Sequence, residues 1–199
     1  VSEAPSFDLL AVGAHPDDIE ISCGGTLARA ADEGYRVAIL DLTRGEMGTN
    51  GEPETRAVEA SRAARVLGVA ARRNAGLPDG GIRSGDPAQE RALVALLREL
   101  RPAVLFSHFP RDRHPDHVEA SRLVDRAQYL AGLVRYDAPG AAFRPRARWH
   151  FASRIGFHPS VVVDITGVWE RKREAILAHA SQVSRSEPDR RPTGINDPD

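Results

Sequence analysis

The chain has 199 residues, 28% of them charged and 41% hydrophobic, and a formal net charge of −1. That composition belongs to a folded globular chain large enough for a real core, and it excludes disorder and a global basic field for nucleic acid or an anionic membrane. Cys23, the single cysteine, excludes an internal disulfide framework and fits a reducing cytoplasm. No apolar run reaches the roughly 18–20 residues of a membrane helix, and residues 1–8 carry no basic-then-apolar leader pattern.

Phe7–Ala14, "FDLLAVGA", reads as a buried strand closed by turn chemistry. Thr26–Glu33 reads as a helix with Thr26 at its N-cap, and Tyr35–Thr43 as a second strand. A polar, glycine-rich loop leads to a helix over Thr55–Leu67, with Ala57, Ala60, Ala64 and Leu67 on its apolar face and Gly68 at its end. "RRNAGLPDGGI" is an extended piece closing in a turn, and Pro87–Leu100 is a helix entered through proline. Ala103–His108 is a third clear buried strand, followed by the loop "FPRDRHPDH" and a helix to about Leu130. "ARWHFAS" and "SVVVDIT" read as later strands, Trp169–Gln182 as a last helix, and the final twenty residues as loosely held. Strands alternating with helices imply the α/β class with a mostly parallel sheet, in a single domain over 1–199.

One short echo stands out: "HPDD" at 15–18 and "HPDH" at 114–117. Composition predicts roughly 0.04 His-Pro-Asp triplets in such a chain, and two occur. Each follows an apolar strand, at the carboxyl end where open α/β sheets bind ligands. In the common doubly wound order the first and fourth strands are neighbours, which brings both motifs to one crevice. Convergence gathers His15, Asp17, Asp18, His114, Asp116 and His117. Two imidazoles, a carboxylate and an open position make a catalytic zinc shell, and the remaining groups can move protons. The plain alternative is that the aspartates cap helices.

"AVGAHPDDIEISCGGTLARAADEGYRVAILDLTRGEMGTNG", with "ETRAVEASRAARVLGV", "NAGLPDGG" and "DRHPDHVEASRLV", resembles the PIG-L/LmbE-like zinc deacetylases over essentially the whole chain. Within them it is most similar to the branch that deacetylates N-acetylglucosaminyl-malate for bacillithiol. The resemblance implies a three-layer Rossmann-like fold. It implies Zn2+, or Fe2+ on the same ligand set, held by His15, Asp18 and His117, with Asp17 as general base. His114 becomes the acid that steadies the oxyanion, and Asp116 orients it and favours its protonated form. Arg56 and Glu59 fall at the sugar site, where an arginine suits a malate carboxylate; the bland reading is a surface i,i+3 ion pair. The loop "TRGEMGTNG" faces the substrate. The partner is then a small amino sugar, and the family implies a homo-oligomer, with hexamers frequent. Other amino-sugar conjugates, such as mycothiol precursors and chitooligosaccharides, and a non-catalytic sugar-binding module are the alternatives. The family also usually continues past "INDPD", so one or both ends read as trimmed.

Other candidates are weaker. Cys23 reads as a packing thiol, His108 as a packed histidine or one that backs the ligands, and His179 as a residue on the last helix able to approach the site. Arg111 and Arg113 flank the second motif and either meet an anion or stand in solvent. A nucleotide site is excluded by the absence of G-x-G-x-x-G and by carboxylates where phosphates would lie.

Overall fold

The apolar run that opens the chain becomes the central strand of a five-stranded, all-parallel sheet. The structure is a computed structural model and describes residues 4–151 and 155–183. Its strands are β1 (Phe7–Gly13), β2 (Val37–Thr43), β3 (Ala71–Leu77), β4 (Pro102–His108) and β5 (Ala147–Phe151), in the spatial order β3–β2–β1–β4–β5. Parallel neighbours need crossovers. These are supplied by α1 (Asp18–Ser22), α2 (Gly24–Asp32), α3 (Pro53–Leu67), α4 (Pro87–Leu100) and α5 (Pro115–Ala131). A short 3-10 turn (Thr166–Val168), α6 (Trp169–Leu177) and α7 (Ala180–Val183) follow β5.

The period of two along the central strands builds the three layers. Leu10, Val12, Leu40 and Leu42 face one way and pack with Leu93, Leu97, Leu123 and Val124 of α4 and α5. Ala11, Val37 and Ile39 face the other way, onto Leu27, Ala63, Leu67 and Ala175 of α2, α3 and α6. Chain order reverses between β1 and β4, which pair in register from Phe7↔Pro102 to Ala11↔Phe106. Beyond that last pair the two chains part, and both histidine motifs stand at the opening.

Several expected boundaries move. The helix expected at Thr26 begins at Gly24, because Cys23 both ends α1 and starts α2; Thr26 lies inside the first turn. The inner face of α3 holds Arg56, Glu59, Ala60, Ala63, Ala64 and Leu67, while Ala57 is exposed: two charged side chains find partners inside and rotate the face. "SVVVDIT" forms no strand; Val162 is 81% exposed, and the segment runs irregularly into the 3-10 turn. Its β-branched residues carry strand propensity, but no ladder among the described residues pairs with it. The expected last helix breaks around His179 into α6 and α7. Residues 184–199, where loose ends were expected, lie outside the described residues, as do Ala152 and Ser153 of "ARWHFAS". Among the described residues no helix is long and apolar enough to cross a membrane.

Candidate metal centre and active site

β1 ends at Gly13, and the next residues turn sharply into α1. Thr43, at the end of β2, fixes that turn, since both its amide and its hydroxyl donate to the Ala14 carbonyl at 3.0 Å. Asp17 takes φ 123°, ψ −27°, a conformation that L residues rarely adopt and that stores strain of about 1–3 kcal/mol. The strain is held by Arg56, whose Nη2 donates to Pro16 O at 2.7 Å and lies 3.4 Å from Asp17 Oδ2. Its Nη1 donates to Gly45 O at 2.8 Å. Gly45, at φ 70°, is the residue that permits this approach: a Cβ there would stand 1.9 Å from Arg56 Nη1.

The second motif is built differently. His114 is the N-cap of α5, its Nδ1 accepting from the Asp116 amide at 3.2 Å, with Pro115 in the first turn. That bond makes Nδ1 an acceptor and leaves Nε2 to carry the ring proton. The expected orienting contact from Asp116 to His114 therefore comes from the Asp116 backbone. Its carboxylate goes elsewhere: Oδ2 accepts from Gly80 N at 2.7 Å and lies 3.4 Å from His15 Nε2.

Asp18 is the hub. Its Oδ1 lies 3.1 Å from His117 Nε2, and its Oδ2 lies 3.4 Å from His15 Nδ1 while accepting from His15 N at 2.8 Å. His15, Asp18 and His117 thus meet around one carboxylate. Donor atoms fall into three compact sets, each within 4.8 Å: His15/His114/His117, Asp18/His108/His117 and His15/Asp79/Asp116. The expected trio spans the first two sets, which share His117, and Asp18 lies beside both of its histidines. Neutral imidazoles with a carboxylate suit a borderline divalent cation, and Asp112 Oδ2, 3.2 Å from His117 Nδ1, backs that ring as carboxylates back metal-ligating histidines. The donor set fits a metal ion.

The electrostatics separate the acids. Burial, reinforced by the charge of Asp18, pushes the Asp17 carboxyl up to about 7, against Arg56, His179 and His15. Asp18 is also fully enclosed, yet His117 and His108 hold it well below the usual carboxylate range. Burial would lower His15, but Asp116, Asp18 and Asp79 overturn that and push it up to about 12. Burial, then the charges of His15 and His117, lowers His114, against the expectation that Asp116 keeps it protonated.

Arg56 and Glu59, expected at the sugar site, are drawn into the fold. Both are buried: Arg56 is bound to backbone carbonyls, and Glu59 accepts from Ser181 N at 2.7 Å and Ser181 Oγ at 2.6 Å. The surface ion pair gives way for the same reason, because each side chain is committed inside the fold. His179 is fully buried behind the first motif, 3.3 Å from Glu20 Oε1. Glu20 also pairs with Arg72, which holds Asp41 through two hydrogen bonds of 2.7 and 2.9 Å. Arg111 lies over the Phe109 ring. Cys23 is buried, and burial pushes its thiol up to about 12, as a packing role requires.

Asp79 is the site residue that sequence reasoning missed. It follows the end of β3, accepts from Met47 N at 2.8 Å, and places Oδ1 3.1 Å from His15 Nε2. The carboxyl-end rule applied to "LPDGG" would have found it. Its neighbour Gly80, at φ 69°, lies so close to the loop that a Cβ would meet Met47 Sδ at 2.7 Å. The loop 44–52 is thus tied by Asp79 to the pocket that holds His15.

Residues 10–128 match the family model "PIG-L: GlcNAc-PI de-N-acetylase", and the chain belongs to that family. It is 31% identical to a 1D-myo-inositol 2-acetamido-2-deoxy-alpha-D-glucopyranoside deacetylase of Rhodococcus erythropolis, over 88% of this chain and 81% of the relative. It is 32% identical to the diacetylchitobiose deacetylase of Thermococcus kodakarensis, over 87% of this chain and 69% of that protein. Among solved structures, the conserved protein TT1542 of Thermus thermophilus superposes with a TM-score of 0.85 at 47% identity, covering 88% of this chain and 80% of that one. The 4-carboxy-2-hydroxymuconate hydratase GalB of a Pseudomonas superposes with a TM-score of 0.77 at 27% identity, over 87% and 79% of the two chains. The two deacetylases named here act on an inositol conjugate and on diacetylchitobiose, and neither carries the malate expected from the sequence.

Proposed function

We propose that the chain is a metal-dependent hydrolase that removes the N-acetyl group from an N-acetylglucosamine conjugate. The observation that carries this reading is the meeting of both His-Pro-Asp motifs around Asp18, with a second, buried carboxylate on Asp17 beside it. A binding module has no use for that spare carboxylate.

His15, Asp18 and His117 would hold the ion, Zn2+ or Fe2+ on the same ligand set. When bound, a divalent cation supplies a Lewis acid that acidifies water and polarises an amide carbonyl. Asp17, raised towards neutral pH, accepts the proton of the attacking water, as a base tuned near working pH does best. His114 turns its Nε2–H outward from the N-cap, where it meets the carbonyl oxygen as that atom gains charge. The proton that Asp17 took from water passes to the sugar nitrogen and releases the free amine, and acetate leaves with the water oxygen. Arg56 acts on the reaction through Asp17 and the turn that it clamps.

The aglycone we favour is an uncharged polyol or sugar, as in the mycothiol precursor. Two observations support it over malate: the named relatives act on such conjugates, and Arg56, the side chain expected to meet a malate carboxylate, is committed to Pro16 and Gly45. Zinc-loaded protein assayed for released amine against N-acetylglucosaminyl-inositol, diacetylchitobiose and N-acetylglucosaminyl-malate tests both parts. Amine release from the inositol conjugate or chitobiose is expected. Release from the malate conjugate alone would overturn the aglycone, and no release from any of them would overturn the deacetylase reading. The GalB resemblance makes water addition to an unsaturated acid the reading that such a failure would favour.

A further inference from the structure

We infer that His108 is a positioning residue of the metal centre, tying the end of β1, and with it the first motif, to the end of β4, whose helix carries the second. The inference rests on the metal-centre reading above. The backbone ladder between β1 and β4 stops at Ala11↔Phe106, and from there the chains separate towards the two motifs. His108 spans the gap with its side chain. Its Nε2 accepts from the Ala14 amide at 3.0 Å, so the residue before His15 stays tied to the end of β4. The same nitrogen stands 3.2 Å from Asp18 Oδ2, the oxygen that also accepts from His15 N. Two consecutive amides of the first motif are therefore held, one by His108 and the other by Asp18.

The ring itself has little freedom. One neighbour is the His117 ring, stacked at 4.1 Å between centroids and 21° between planes; another is the Phe151 ring at 4.8 Å. The His108 carbonyl is bonded to His150 Nδ1 at 2.8 Å. His108 is 1% exposed, and among the described residues its Nδ1 has no hydrogen-bond partner. Burying an imidazole with one nitrogen unpaired carries a desolvation cost, which is accepted here where the other nitrogen accepts the Ala14 amide and so ties the first motif to the end of β4. A leucine or phenylalanine would fill the same space without that cost. The polar tip is retained for what Nε2 does, and it touches Ala14 and Asp18 rather than any substrate.

The test compares His108→Phe, which keeps the ring and loses Nε2, with His108→Gln, whose amide oxygen can take the place of Nε2. Zinc affinity is measured by competition with a chromophoric chelator, and the melting temperature of metal-free protein is read in parallel. Residues that back metal ligands change affinity about 10–100-fold, and that loss is expected for His108→Phe with recovery in His108→Gln. Wild-type affinity in His108→Phe would overturn the inference, as would equal losses in both variants that follow their melting temperatures. Should His108→Phe fail to fold, His108→Met takes its place, with the same two outcomes. Wild-type protein that takes up no zinc would sink the metal-centre reading itself, a result separate from either variant outcome.

Discussion

The two motifs share three letters, yet the backbone treats them in opposite ways. In "HPDD" the helix begins only at the fourth residue, after Asp17 has been forced to φ 123°. In "HPDH" the helix begins at the second residue, and His114 caps it through its own ring. The first motif uses strain and deep burial to bring two carboxylates side by side. The second needs nothing unusual and leaves His114 accessible at the mouth. Equal sequence therefore does not mean equal geometry: what surrounds each strand end decides which atom faces the ligand. Arg56 and Gly45 shape the first, and the His114-capped N-terminus of α5 shapes the second.

Breaking the first motif has the largest expected effect. Asp17→Asn keeps shape and loses the base, so turnover should fall about 10²–10⁴-fold while metal content stays near one ion per chain; amine release and elemental analysis read the two together. Retained turnover would remove Asp17 from the chemistry. In the second motif, His114→Asn replaces one capping acceptor with another. Turnover should drop about 10²–10³-fold, with the melting temperature close to wild type. A large loss of stability would mean that capping, not chemistry, is what His114 supplies.

Asp17→Gly addresses the strain itself. Glycine accepts positive φ freely, so the variant should be inactive yet more stable, by up to about 1–3 kcal/mol in denaturant melts. The smallest effect is a difference in pH slope in metal-free protein. Asp17 has a folded pKa raised to about 7, so its contribution is fully present below pH 4 and is lost as pH rises through 7. Asp116 has a lowered pKa, so its contribution is present above pH 4 and is lost as pH falls through its folded value. Melting curves from pH 3 to 8 should show the first slope vanish in Asp17→Asn and the second vanish in Asp116→Asn. Parallel curves for both variants would erase the distinction between the motifs.

The sheet was legible because its central strands β1, β2 and β4 carry dense apolar runs, and because the echo at 15 and 114 falls where ligands bind. β3 was the weak point: "ARRNAGL" is polar enough to pass for a loop, since Arg72 is neutralised by Asp41 and Glu20 only once the fold exists. Asp79 was missed for the same reason, as its role depends on where that strand ends. "SVVVDIT" misled in the other direction, with strand chemistry and no partner. Arg56 and Glu59 were recognised as exceptional, but no periodicity states that a charged residue points inward. Their partners lie at Pro16, Gly45 and Ser181, distances along the chain that only folding closes.

Cys23 sits at the single residue between α1 and α2, one turn from Asp18, with its thiol pushed up to about 12. Burial thus disfavours the reactive thiolate strongly, and the sulfur is shielded besides. Alkylating reagents should therefore wait for this corner to open. With one cysteine in the whole chain, the rate of labelling becomes a clock for the local breathing of the helix that carries Asp18. Slower labelling on adding zinc would report, without any substrate, that the ion closes that corner.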